Sequence, residues 1–190
     1  MKKRNCKCKC YNKDVKLKKK TIPSPLGQLL IIADDKSLYT LTFSDSSNQS
    51  SLLEKICRQT GAIIEAGTND VIERVVIDLQ NYFAGKSMSF NLPMTLIGTS
   101  FQQAVWQAMS RIPYGETVSY KSLALQLGDV KKARAVANAC RQNPVLILIP
   151  CHRVIASNGK LGGYVAGLTK KMNLLNLEKE AQCKFFKKIK

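Results

Sequence analysis

The chain has 190 residues, 45% of them hydrophobic, enough for one or two domains with buried cores. Its net charge is +17, and its seven irregularly spaced cysteines argue against a disulfide framework and for a reducing compartment. The longest strongly apolar run, residues 144–150, is far too short to span a bilayer, and no apolar stretch follows the basic N-terminus to make it a signal peptide.

The charge is concentrated at the ends. Residues 1–20 hold ten Lys or Arg against Asp14 alone, and residues 184–190 add four lysines, leaving about +4 for the body. Basic tails around a mildly basic body suit a polyanion, whether DNA, RNA or an acidic membrane surface; charge alone does not separate these from tails that merely aid solubility. Residues 1–20 are expected to be a disordered arm. Its Cys6, Cys8 and Cys10 cannot close a tetrahedral metal site without distant ligands, and the only histidine lies elsewhere, so no metal and no other cofactor is expected.

Residues 21–88 read as a small α/β domain. Leu29 to Ile32 and Leu38 to Phe43 form two strand patterns around an Asp34-Asp35 turn. Helical spacing follows in residues 51–60 (Leu52, Leu53, Ile56) and 70–84 (Val71, Ile72, Val75, Leu79, Tyr82, Phe83), each ending before a glycine. Nothing in this half looks catalytic.

Residues 91–183 read as a mostly α-helical domain. Thr99 or Ser100 caps a helix with Phe101, Val105, Trp106 and Met109 on one face, and Gln102 or Gln103 completes a capping box. Two short helices, 119–127 and 131–142, flank Gly128-Asp129-Val130, the outline of a helix-turn-helix or of an ordinary helical hairpin. The second carries small Ala133, Ala135 and Ala137 around basic Arg134. Residues 145–149 are an apolar strand or extended segment between Pro144 and Pro150.

Cys151 and His152 follow directly. A cysteine attacks as its thiolate, which a neighbouring base makes accessible, and His152 is the sole imidazole. Leu174 and Leu175 lie three and four residues before Glu178, so this carboxylate faces inward on the last helix, placed to orient His152.

Residues 149–155, Ile-Pro-Cys-His-Arg-Val-Ile, resemble the active-site signature of the O6-alkylguanine-DNA alkyltransferases (methylated-DNA–protein-cysteine methyltransferases). The resemblance extends in order and spacing through residues 98–102, Val105-Trp106, 112–117, Ser119-Tyr120, 133–136, 141–144 and Gly163-Tyr164, covering about 90–180 strongly. It implies that Glu178 holds His152, that His152 deprotonates Cys151 through a water, and that the thiolate takes the alkyl group from O6-alkylguanine once and irreversibly. Tyr120 or Tyr164 would return a proton to the guanine, and the backbone at Cys151, Val154 and Val165 would contact the base. Asn143 would fix the turn beside the active site. Arg134 would fill the gap left by the flipped base, with Ala133, Ala135 and Ala137 in the minor groove and Tyr120 against the phosphate. The implied partner is double-stranded DNA, met by a monomer in the cytoplasm, or in the nucleus of a eukaryote.

Val165 and Ala166 stand where some relatives have serine and glycine; Ala166 and Leu146 are expected to narrow the pocket. Two other classes fit the bare residues: a Cys-His-Glu hydrolase, which would turn over, and a DNA-binding lesion sensor or regulator with a structural Cys151.

Overall fold

Strand β2 (Leu29–Ala33) and strand β3 (Leu38–Phe43) are buried along their whole length, because the sheet they build is covered on both faces. The structure, a computed structural model of the chain, describes residues 16–188. Strand β1 (Lys16–Ile22) runs antiparallel to β2, and β4 (Ile63–Ala66) lies parallel to β1, giving the order β3-β2-β1-β4. Period-two alternation sorts the side chains. Leu30 and Ile32 pack with Leu17, Tyr39 and Ile56 of helix α1 (Gln49–Thr60). Leu29 and Ile31 face Ile72, Val75 and Leu79 of helix α2 (Asp70–Phe83), in a core continuous with the C-terminal half.

Strand β1 corrects the reading of residues 16–20 as part of a disordered arm. Four lysines in seven residues hide the strand, whose backbone is held from both sides. Leu17 is buried, and the heads of Lys18 and Lys20 reach Glu65 at 3.2 Å and Glu73 at 2.6 Å. The rest of the arm, with Cys6, Cys8 and Cys10, lies outside the described residues.

Helix α3 (Ser100–Ser110) starts on the expected capping box, with Thr99 and Gln102 each bonding the other's backbone. The chain then passes through β5 (Val118–Ser119) into α4 (Tyr120–Gln126), turns at Gly128 and continues through a 3₁₀ turn, Val130–Lys132, into α5 (Ala133–Arg141). Helices α4 and α5 pack on each other and on α3. Strand β6 (Val154–Ile155) pairs parallel with β5, and α6 (Leu168–Lys188) closes the half. Residues 184–188, read as tail, continue this helix. The architecture is the expected α/β half followed by a mostly helical one.

Residues 145–149 are buried as expected but are not extended. Val145 and Leu146 touch β3 at Leu41, and the chain then folds back so that the Ile149 amide donates to the Val145 carbonyl at 3.0 Å. Asn143 spans the turn: its Nδ2 donates to the Ile149 carbonyl at 2.7 Å, and its Oδ1 accepts from the Val145 amide at 3.0 Å. Ile147 sits at φ 73°, a strained conformation for a β-branched residue. Proline at both ends removes two ladder donors, so tertiary packing and Asn143 shape the segment in place of a sheet. No helix among the described residues is long and apolar enough to cross a membrane.

Candidate active site

The site is organised around one buried carboxylate. On α6, Lys171, Leu174, Leu175, Glu178 and Ala181 form the buried stripe, as helical spacing dictates. Glu178 Oε1 pairs with His152 Nε2 at 2.8 Å, and also accepts from Arg153 Nη2 at 2.9 Å and the Tyr82 hydroxyl at 2.7 Å. Its Oε2 accepts from Arg153 Nε at 2.8 Å and the Gly115 amide at 3.1 Å. Gly115 adopts φ 77°, the left-handed region that favours glycine, so the backbone that aims this amide at Glu178 suits a glycine. Burial alone would raise the Glu178 carboxyl; the donors from His152 and Arg153 outweigh it and hold the pKa at about 2. Glu178 is an anion.

That anion selects the histidine tautomer. Carboxylate oxygens only accept, so Nε2 carries the hydrogen and Nδ1 the lone pair. Nδ1 is buried and makes no hydrogen bond among the described residues. Burial lowers the His152 pKa against the opposing pull of Glu178, which keeps the ring a neutral base near pH 7. The 3₁₀ turn Cys151–Arg153 carries the sulfur and imidazole out of the Asn143-braced loop. Burial pushes the Cys151 thiol up to about 11, while Asn143 and the Lys171 ammonium pull it down.

Cys151 opens on a narrow pocket of about 10 Å³, lined by Tyr120, Cys140, Arg141, Gly163, Tyr164 and Val165. This is room for about one water. The Tyr164 hydroxyl is buried without a partner among the described residues, and burial, then the neighbouring Cys151, keeps it well above the usual phenol range. The Tyr120 hydroxyl, raised by burial to about 12, faces the Gly163 carbonyl at 3.5 Å. Leu146 and Ala166 do not line this pocket, contrary to expectation; Val165 and Cys140 do. Lys171 braces the wall from behind, its Nζ donating to the carbonyls of Val154 (2.6 Å), Gly163 (3.2 Å) and Leu161.

On α5, Arg134 and Ala135 are exposed, Ala133 and Ala137 are half-buried, and Val136, Ala139 and Cys140 face the core. Lys131 and Lys132 lie exposed just before it. The helix thus presents small residues and cations outward while its inner face reaches the pocket.

The structure brings Cys151, His152, Glu178, Tyr120, Tyr164, Val165 and Asn143 together. Five neighbours were missed: Tyr82, Arg153, Gly115, Lys171 and Cys140. Arg153 adjoins His152, and Lys171 lies seven residues before Glu178 on one helical stripe, so both left a local signal. Tyr82 left none; it arrives from the half in which nothing looked catalytic. Among the described residues, no group of three or more His, Cys, Asp or Glu is placed to hold a metal ion.

Fold and site together define a two-part protein: a small α/β half packed against a helical half that holds a buried cysteine beside a His–Glu pair. The model of the 6-O-methylguanine DNA methyltransferase ribonuclease-like domain matches residues 17–96, and that of the DNA binding domain matches residues 100–180. A methylated-DNA–protein-cysteine methyltransferase of Mycobacterium leprae is 41% identical over 160 residues, covering 84% of this chain and 91% of the relative. A constitutive one from Bacillus subtilis is 40% identical over 164 residues, covering 84% and 93%. The crystal structure of Mycobacterium tuberculosis OGT in complex with DNA superposes with a TM-score of 0.74 at 38% identity, covering 88% of this chain and 94% of that one. The chain belongs to the methylated-DNA–protein-cysteine methyltransferase family.

Proposed function

We propose that this protein repairs O6-alkylguanine in double-stranded DNA by direct reversal, moving the alkyl group once onto Cys151. The observation that supports it best is the buried His152–Glu178 pair: the carboxylate accepts from His152 Nε2–H at 2.8 Å, which leaves the Nδ1 lone pair available on the residue that follows the buried Cys151. His152 draws the Cys151 proton through a water, and the sulfur attacks the alkyl carbon in line. The carbon–sulfur bond forms as the bond to O6 breaks, and the electron pair leaves with guanine, which takes a proton from the Tyr120 or Tyr164 hydroxyl. The thioether has no easy hydrolysis route, so each molecule acts once. This separates the reading from a cysteine hydrolase, whose thioester would turn over.

A stacked guanine hides its O6, so the base must leave the duplex. Helices α4 and α5 act as a helix-turn-helix, with Ala133, Ala135 and Ala137 against the minor groove, Arg134 filling the gap and Tyr120 crowding the phosphate. Val154, Val165 and the Cys151 backbone contact the extruded base, and Asn143 holds the turn that joins the two surfaces. The pocket holds about one water, so a base can enter only if its lining, Gly163, Tyr164 and Val165 included, gives way. The protein works as a monomer wherever the genome lies, in the cytoplasm of a prokaryote or the nucleus of a eukaryote.

The test is intact-protein mass spectrometry after mixing with a duplex containing O6-methylguanine. One methyl on the peptide holding Cys151, stopping at one equivalent and absent from Cys151→Ala, is the expected result. Duplex binding with no mass change would replace this reading with that of a lesion sensor.

A further inference from the structure

Tyr82 is a buried residue of α2, in the half of the chain that carries none of the Cys–His–Glu residues, yet its hydroxyl lies 2.7 Å from the oxygen of Glu178 that binds His152. We propose that Tyr82 is a positioning residue of this cluster: it locks Glu178 Oε1 toward His152 and tempers the carboxylate's pull on the imidazole, so that the α/β half takes part in tuning the base.

The contact is built. Tyr82 is fully buried, with its ring set edge-on to Phe83 and Tyr114 and tilted against Phe90, so the hydroxyl has one direction to point. Burial and the Glu178 charge hold the phenol far above its ordinary range, so it remains a donor at every working pH. Three donors share Glu178 Oε1: His152, Arg153 and Tyr82. Each withdraws charge from that oxygen. Removing Tyr82's hydrogen bond concentrates charge on the oxygen facing His152, favours the imidazolium and raises the pH at which the base becomes protonated. The other groups around the ring act from fixed places. Arg153 and Lys171 oppose its protonation, Cys151 adjoins it in sequence, and the neutral hydroxyls of Tyr114 and Tyr164 are buried without partners among the described residues. Among the described residues, only Tyr82 reaches Glu178 through an uncharged donor from the other half.

For catalysis the inference rests on the alkyl-transfer reading, but its test reads the histidine itself. His152 is the only histidine in the chain, so ¹H–¹⁵N spectra of its ring titrate without ambiguity. In Tyr82→Phe, which keeps the ring and its packing, the titration is expected to move up by about half a unit or more. Methyl transfer should slow by about three- to tenfold near neutral pH, the scale of one hydrogen bond to a charged group, with its acid limb displaced the same way. In a Glu178→Gln background the Tyr82→Phe change should add nothing further. Tyr82→Leu is the second variant, expected to shift the histidine likewise. A tyrosine that only fills space would lower thermal stability and leave the titration in place; coincident titration curves in the parent and Tyr82→Phe overturn the proposal. A parent that transfers no methyl would instead remove the functional reading, while the histidine titration still decides the contact.

Discussion

Arg153 grips Glu178 side-on, Nε to Oε2 at 2.8 Å and Nη2 to Oε1 at 2.9 Å, with both side chains buried and Nη1 donating to the Ile112 carbonyl at 2.6 Å. The guanidinium therefore does two jobs: it neutralises the carboxylate that orients His152, and it ties the chain after α3 to the site.

Removing one partner of a buried ion pair leaves the other charge uncompensated. Arg153→Met should cost about 3–5 kcal/mol in urea unfolding. Arg153→Lys should fall between it and the parent, because an ammonium keeps the charge but cannot form the side-on fork and still reach Ile112. Equal stability of Arg153→Lys and the parent would show that geometry matters less than charge here.

Stability should fall with acid in two stages. His152 has a depressed pKa in the fold, so below the ordinary imidazole value of about 6.5 the unfolded chain binds the extra proton and the native state loses ground. Glu178 is held at about 2 in the fold, so its contribution is complete above the ordinary glutamate value of about 4.3 and is lost as pH falls from there toward 2. Urea midpoints at about pH 7.5, 5.5 and 3.5 should therefore decline throughout, and Glu178→Gln should flatten the lower stage. A midpoint that rises on acidification would contradict both assignments.

The pocket wall sets the range of alkyl groups. Val165 lines the narrow space beside Cys151, and one methylene's worth of room changes rates by about 10- to 200-fold. Methyl should transfer faster than benzyl in the parent, and Val165→Gly should raise the benzyl rate by about tenfold with a smaller change for methyl. Competition between the two duplexes, read by protein mass, measures the ratio. An unchanged ratio would place the restriction elsewhere.

Much of the chemistry was legible locally. Cys151 and His152 are adjacent, and Glu178 shares a helical stripe with Leu174 and Leu175, so a period of 3.6 residues was enough to turn it inward. The Thr99–Gln102 capping box and the Asp34-Asp35 turn were equally local. Strand β1 was not, because its lysines carry no apolar pattern and its reason to be extended lies in two partner strands. The turn at 145–149 was not either, since five apolar residues in a row specify burial but not direction; Asn143 and Leu41 supply that.

By itself, then, the sequence picked out the candidate cysteine, the imidazole next to it, the carboxylate's facing and the cationic helix near them, because each depends on neighbours within a few residues along the chain. Only the tertiary structure decided how Glu178 is held. Arg153 reaches the carboxylate from beside His152, but Gly115 and Tyr82 converge on it from a glycine loop and the opposite half of the chain, and a buried charge recruits such donors by proximity in space, for which separation in sequence leaves no trace.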